Sequence, residues 1–211
     1  MLNSQVLIEL FSKTRILAYA SASEHEANLR LISQISHKLG ILEIIIRNRI
    51  DKIMSARDES WLFALPSEIV LDDDGGKIKE HNALVSRQTF GFWVRVAECY
   101  KIHSCAFDKE FLESLDFKKY YSRNQGRLNK SPLANYQKAY ALLLLIRSIR
   151  NRAFHFENLL KILDDGRPRL SIRATFKKSS GVFSIMPNMI MTFLDDILKS
   201  FDENLVEYAK N

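Results

Sequence analysis

Arg150, Asn151 and His155 lie within six consecutive residues, RNRAFH, and bring a guanidinium, an amide and an imidazole onto one short stretch of chain. Guanidinium and imidazole are the side chains that hold anions and move protons near neutral pH. With Arg150 at zero on a helical wheel and about 100° per residue, Arg147, Arg150, Asn151, His155 and Asn158 fall between roughly 0° and 140°. Leu142, Leu145, Ile149, Ala153, Phe156 and Leu160 fall between roughly 220° and 300°, a core stripe on the other side. The spacing therefore predicts a helix that carries its polar chemistry away from the core.

A solvated outer face would also be polar, but this one has the wrong composition. Glu and Lys, the usual surface fillers, are nearly missing from it, and Asn is a mediocre helix former. Phe154, near 40°, sits among the polar groups, while Leu143 and Leu144, near 20° and 120°, continue the face as apolar residues one turn earlier. Such a face reads as a contact surface rather than a solvent face.

Other chemistry is sparse. The sequence has no GxGxxG, Walker phosphate loop, HExxH or GxSxG. His25, His37, His81 and His103 stand alone, without a second ligand at helical spacing, and Cys99 and Cys105 form neither a disulfide framework nor a CxxC site. The acidic run Asp72-Asp73-Asp74-Gly75-Gly76 lacks the ligand spacing of a calcium loop. No metal site and no cofactor are expected. Asp and Glu number 25 against 31 Lys and Arg, a net charge of +6 that favours polyanionic partners.

The elements that must position the motif are mainly helical. With 211 residues, 7 Gly and 4 Pro, the chain can bury a full core but is short of the turn residues an all-β sandwich needs. One all-α domain over residues 1–211 is expected. Residues 2–20 read as an amphipathic helix with Leu7, Leu10, Phe11 and Leu17 as apolar members. Its charged Glu9, Lys13 and Arg15 argue against a secretory signal. A capping box at Ser23 and Glu26 opens a long helix to about Ala56, in which Gly40 marks either a break or a close helix contact. A short helix over 57–66 ends at Pro66, and Phe90–Tyr100 is a buried helix or strand. Ser131-Pro132 starts the motif helix, which runs to about Leu163. Residues 167–186 form a loop or small hairpin, and Met189–Lys210 a final amphipathic helix. No apolar run is long enough to cross a bilayer. A cytoplasmic setting fits the reduced cysteines.

The motif and two earlier segments resemble a family. Arg150-Asn151-Arg152-Ala153-Phe154-His155 is similar to the Rx4–6H signature of HEPN-domain ribonucleases, in which a polar residue follows the Arg. Leu42-Glu43-Ile44-Ile45-Ile46-Arg47-Asn48 resembles the LE-apolar-LRN stretch of Abi-like (abortive infection) proteins of bacteria, and Phe90-Gly91-Phe92-Trp93 resembles their FGxW segment. The segments occur in family order over about residues 20–165. The resemblance implies a helical bundle that dimerises through its motif helices, making one composite cleft. It further implies a metal-independent endoribonuclease, acting as a toxin or phage-defence effector under an antitoxin or inhibitor partner, with RNA as substrate and no membrane partner.

Carried over residue by residue, the catalytic set is Arg150, Asn151 and His155. His155 would serve the ribose 2′-hydroxyl and the leaving 5′-oxygen as base or acid. Arg150 would hold the scissile phosphate, and Asn151 would orient the imidazole or a phosphate oxygen. Arg147, Arg47, Asn48 and Asn158 are candidate RNA contacts, Arg47 and Asn48 having a structural reading beside it. Two positions depart from the family. Lys52 stands where the first Arg-Asn pair would need a histidine, and Glu157 replaces the tyrosine that a nucleotidyltransferase antitoxin modifies. The basic segment Arg167, Arg169, Arg173, Lys177 and Lys178 reads as RNA backbone contacts or as a solvated loop. Two alternative functions stand beside the nuclease: a non-catalytic HEPN-type RNA-binding or regulatory protein, and a helical protein-interaction module.

Overall fold

The computed structural model describes residues 4–177 and 179–210, so Lys178 lies outside the described residues. From residue 4 the expected N-terminal helix is two short ones, α1 (Ser4–Phe11) and α2 (Lys13–Ile16), parted at Ser12 with φ 72°. Leu7 is buried, whereas Leu10, Phe11 and Leu17 are exposed. The apolar pattern alone could not say which members would find a partner.

Helix α3 (Ala22–Ser55) opens two residues before the expected capping box. The Ser21 hydroxyl accepts from the Glu24 amide at 3.1 Å, and the Glu24 carboxylate accepts from the Ala20 amide. Both pairs fit the Ser-x-x-Glu spacing, and the earlier one is used. The helix runs unbroken through Gly40, where a Cβ would meet nothing within 4 Å, so this glycine is neither a break nor a close contact. Ile32, Ile35, Leu39, Leu42, Ile46, Ile50 and Met54 recur at three- and four-residue steps and are all buried. Polar ties stand along the same helix. Buried Lys38 Nζ meets Asp195 Oδ1 at 2.7 Å, and Asp51 Oδ1 accepts from Trp61 Nε1 at 3.1 Å and lies 2.9 Å from His81 Nε2.

Only a single 3-10 turn, Trp61–Phe63, forms where a helix over 57–66 is expected. Helices α4 (His81–Arg87), α5 (Phe90–Cys99) and α6 (Lys109–Ser114) follow. Strands β1 (Arg127–Leu128) and β2 (Ser131–Pro132) form a two-residue hairpin whose tip, Asn129-Lys130, has φ 48° and 67°. Positive φ at both central positions suits the twist of a tight hairpin. Ser131-Pro132 is therefore an edge strand, and α7 (Asn135–Phe154) begins after it, with the Gln137 side chain accepting from the Ala134 amide. Strands β3 (Ser171–Phe176) and β4 (Ser179–Ser184) form a hairpin where either a loop or a small hairpin is expected over 167–186, and α8 (Ile190–Phe201) and α9 (Leu205–Tyr208) close the chain. The protein is mainly helical with two small antiparallel hairpins.

Helix α7 sits at the centre, against α3, α5, α6 and β3. Leu142, Leu143, Leu145, Ile146 and Ile149 are all buried, so its middle is apolar nearly all round. This overturns the expectation for Leu143, which is 0% exposed, and for Leu144, which packs partly buried against the core. Neither belongs to an outer contact face. Among the described residues, no helix is long and apolar enough to cross a membrane.

Candidate functional site at the end of helix α7

The motif helix stops nine residues before the expected Leu163, and its stop is built into the backbone. Phe156 takes φ 53°, its amide donates to Ala153 O at 2.9 Å, and the Glu157 amide donates to Arg152 O at 2.8 Å. That pair of bonds is a Schellman closure, normally given to glycine because a Cβ is disfavoured in the left-handed region. Beyond it the wheel no longer applies. Phe156 is 49% exposed instead of core, and Leu159 is buried where Leu160 was expected.

The N-terminal part of the chain holds this turn in place. Fully buried Asn28 donates to Tyr19 Oη at 3.0 Å and to Glu157 O at 3.1 Å, and accepts from the Leu159 amide at 2.8 Å. Asn158 is 3% exposed and donates to Ala18 O at 3.0 Å and to Glu24 Oε1 at 3.1 Å, while accepting from the Leu160 amide. An amide so committed is a brace, not an RNA contact. Glu157 accepts from Arg152 Nη1 at 2.8 Å and Arg169 Nη2 at 3.3 Å, closing the turn from its outer side.

Arg150 is half-buried on the last full turn. Its Nε meets Glu43 Oε2 on α3 at 3.3 Å, and its guanidinium carbon lies 5.2 Å from the centre of the Phe154 ring. The two Nη atoms take no hydrogen bond among the described residues. Arg147 lays its guanidinium over Gly91, where a Cβ would stand 3.5 Å away. Asn151 is half-buried and His155, the C-cap residue, is exposed. Neither side chain takes a hydrogen bond among the described residues. Four residues apart around the helix end, they share one face. Arg47 Nε donates to Asn48 Oδ1 at 3.3 Å, so these two engage each other on α3, one turn from Glu43.

The basic segment divides. Arg167 pairs with Asp165, Arg169 with Glu157, and Arg173 donates to Ser180 Oγ, while Lys177 lies at the opposite end of α7. The residue missed by spacing is Glu43. Its signal was its place beside Leu42 in the α3 segment, but nothing in the sequence says that it faces Arg150, 107 positions on. Among the described residues, no three His, Cys, Asp or Glu side chains gather in a way that could hold a metal ion. No family model, curated protein or solved structure matches the chain.

Proposed function

We propose that the protein is a HEPN-type, metal-independent endoribonuclease, working as a homodimer and serving as a toxin or phage-defence effector. The observation that carries this reading is the end of α7. Arg150 is fixed by Glu43 with its Nη edge free, and Asn151 and His155 are unbonded on one helical face beyond it. His155 takes the proton of a ribose 2′-hydroxyl as that oxygen attacks phosphorus. The bond to the 5′-oxygen breaks, and an imidazolium returns a proton to the leaving oxygen. Arg150 Nη groups stabilise charge on the phosphoryl oxygens, and Asn151 orients the imidazole. The products are a 2′,3′-cyclic phosphate and a 5′-hydroxyl.

Dimerisation brings two such ends together about a two-fold axis. With Leu143 and Leu144 placed inside, the apolar part of that contact is Phe154, Phe156 and Ile44, each close to half exposed near the motif. Purified protein incubated with total RNA in EDTA, beside His155→Ala, tests the reading. Cleavage that needs His155 and not magnesium supports it. Equal cutting of DNA, or activity restored only by magnesium, overturns it. Salt-sensitive RNA binding without cleavage selects the non-catalytic alternative.

A further inference from the structure

The opposite end of α7 carries a cavity of about 510 Å³ between α5, α7 and the tip of the β3–β4 hairpin. Tyr136 and Tyr140, one turn apart on α7, meet Phe176 of β3 in its wall, with ring centres 6.1 and 6.0 Å apart. Both pairs are edge-to-face, at 89° and 70°. Such a pair covers one face of one ring at most, so ring faces remain for a planar guest. His103 joins the wall edge-on to Tyr140 at 4.9 Å. It is nine-tenths buried, and its Nε2 has no hydrogen-bond partner among the described residues.

Charge at the mouth discriminates between guests. Among the described lining residues Glu98 is the one carboxylate, and Oε1 already accepts from Tyr140 Oη at 3.0 Å. Lys101 and Lys177, both exposed, also line the cavity. An aromatic box with one carboxylate would suit a cation, but two lysines on the rim oppose one. A flat ring with hydrogen-bond donors, carrying an anionic tail, satisfies both parts. The volume is within the range of small-molecule sites, and such sites combine aromatic walls with a few convergent polar groups.

We infer that this cavity binds a nucleotide, its base stacked among Tyr136, Tyr140 and Phe176, an exocyclic amine donating to Glu98, and its phosphate at Lys101 and Lys177. The guest is either a free mononucleotide or one nucleotide of a single strand. The site shares no residue with the Arg150 and His155 end, so it stands or falls apart from the nuclease reading.

Calorimetric titration of the full chain with AMP, UMP, adenosine and hexaadenylate tests it, the oligonucleotide arm using His155→Ala so that the strand stays intact. Saturable AMP binding is expected, weaker for UMP, which lacks the amine, and for adenosine, which lacks the phosphate. Tyr136→Ala, at a half-exposed position, should weaken AMP by about 5- to 150-fold, the loss of one stacking partner, with an unchanged melting temperature. Phe176→Leu gives a second reading of the same wall. Equal affinity for AMP and hexaadenylate indicates a free nucleotide, and a tighter, salt-sensitive hexaadenylate indicates a strand. No saturable binding of either at millimolar concentration, binding indifferent to both variants, or tighter binding of tetramethylammonium than of AMP would overturn the inference.

Discussion

The two ends of α7 are built in different ways. Tyr140 and His155 are 15 residues apart, about 22 Å along a helix axis. At the C-terminal end the reactive residue types are neighbours in sequence, and the fold spends its long-range contacts on holding the turn that presents them. At the N-terminal end the wall residues come from three separated stretches, around 98–103, 136–140 and 175–177, and the fold itself makes the concavity. Reactive groups can be conspicuous in a sequence without a pocket, and a pocket can be built from residues that no motif joins.

The largest test of this division is functional. His155→Ala should lower RNA cleavage by about 10²–10⁴-fold while leaving folding stability within about 0.5 kcal/mol, read by denaturant titration. Ile149→Ala should do the reverse: at a fully buried position it should cost about 2–5 kcal/mol. Equal destabilisation by both would mean that the motif end is a buried structural network after all.

Asn28→Ala tests how the turn is held. It strips partners from the Glu157 carbonyl and the Leu159 amide, and should cost about 1–3 kcal/mol. It should also depress cleavage although Asn28 touches no motif side chain. Stability lost without activity would show that the brace does not position His155.

Phe156 gives a smaller effect of opposite sign. Phe156→Gly should stabilise the isolated protomer by about 1 kcal/mol, since the left-handed backbone is relieved of its Cβ. Phe156→Ala should stay within about 0.5 kcal/mol for the isolated protomer, unlike a core truncation, because the ring is 49% exposed there, while weakening the proposed dimer.

The smallest effect concerns the N-terminal end of α7. Burial holds the His103 imidazole below its ordinary value of 6.5, so the folded state resists protonation there. Between the lowered folded pKa and 6.5 the unfolded chain binds the extra proton, so stability should fall as pH drops through that window. His103→Gln should flatten that dependence in parallel melts. An unchanged profile would place the acid sensitivity elsewhere.

The sequence made α3 and the body of α7 legible, because three- and four-residue apolar steps are local signals, but it left Phe90–Tyr100 open between helix and strand and 167–186 open between loop and hairpin. It misplaced both ends of α7 for non-local reasons. Ser131-Pro132 matched a helix start yet was taken into a hairpin, and the wheel ran on past Phe154 because the stop uses phenylalanine where glycine is the usual mark. Burial of Asn158 depends on Ala18 and Glu24, more than 130 positions away, and the Glu43 partner of Arg150 is equally remote. Motif residues could be picked out by type, but their partners could not.

Helix α3 has a consequence of its own. Its polar ties at Asn28, Lys38, Glu43 and Asp51 reach the end of α7, Asp195 of α8 and Trp61. Sliding a helix by one residue moves every later side chain by about 1.5 Å and turns it by about 100°. These anchors therefore work like the teeth of a key, and only one azimuth engages them all. A Cβ added at Gly40 would meet nothing within 4 Å. An inserted residue there would nonetheless rotate the upstream brace out of phase with the downstream ties, so the room beside Gly40 does not extend to a change in length.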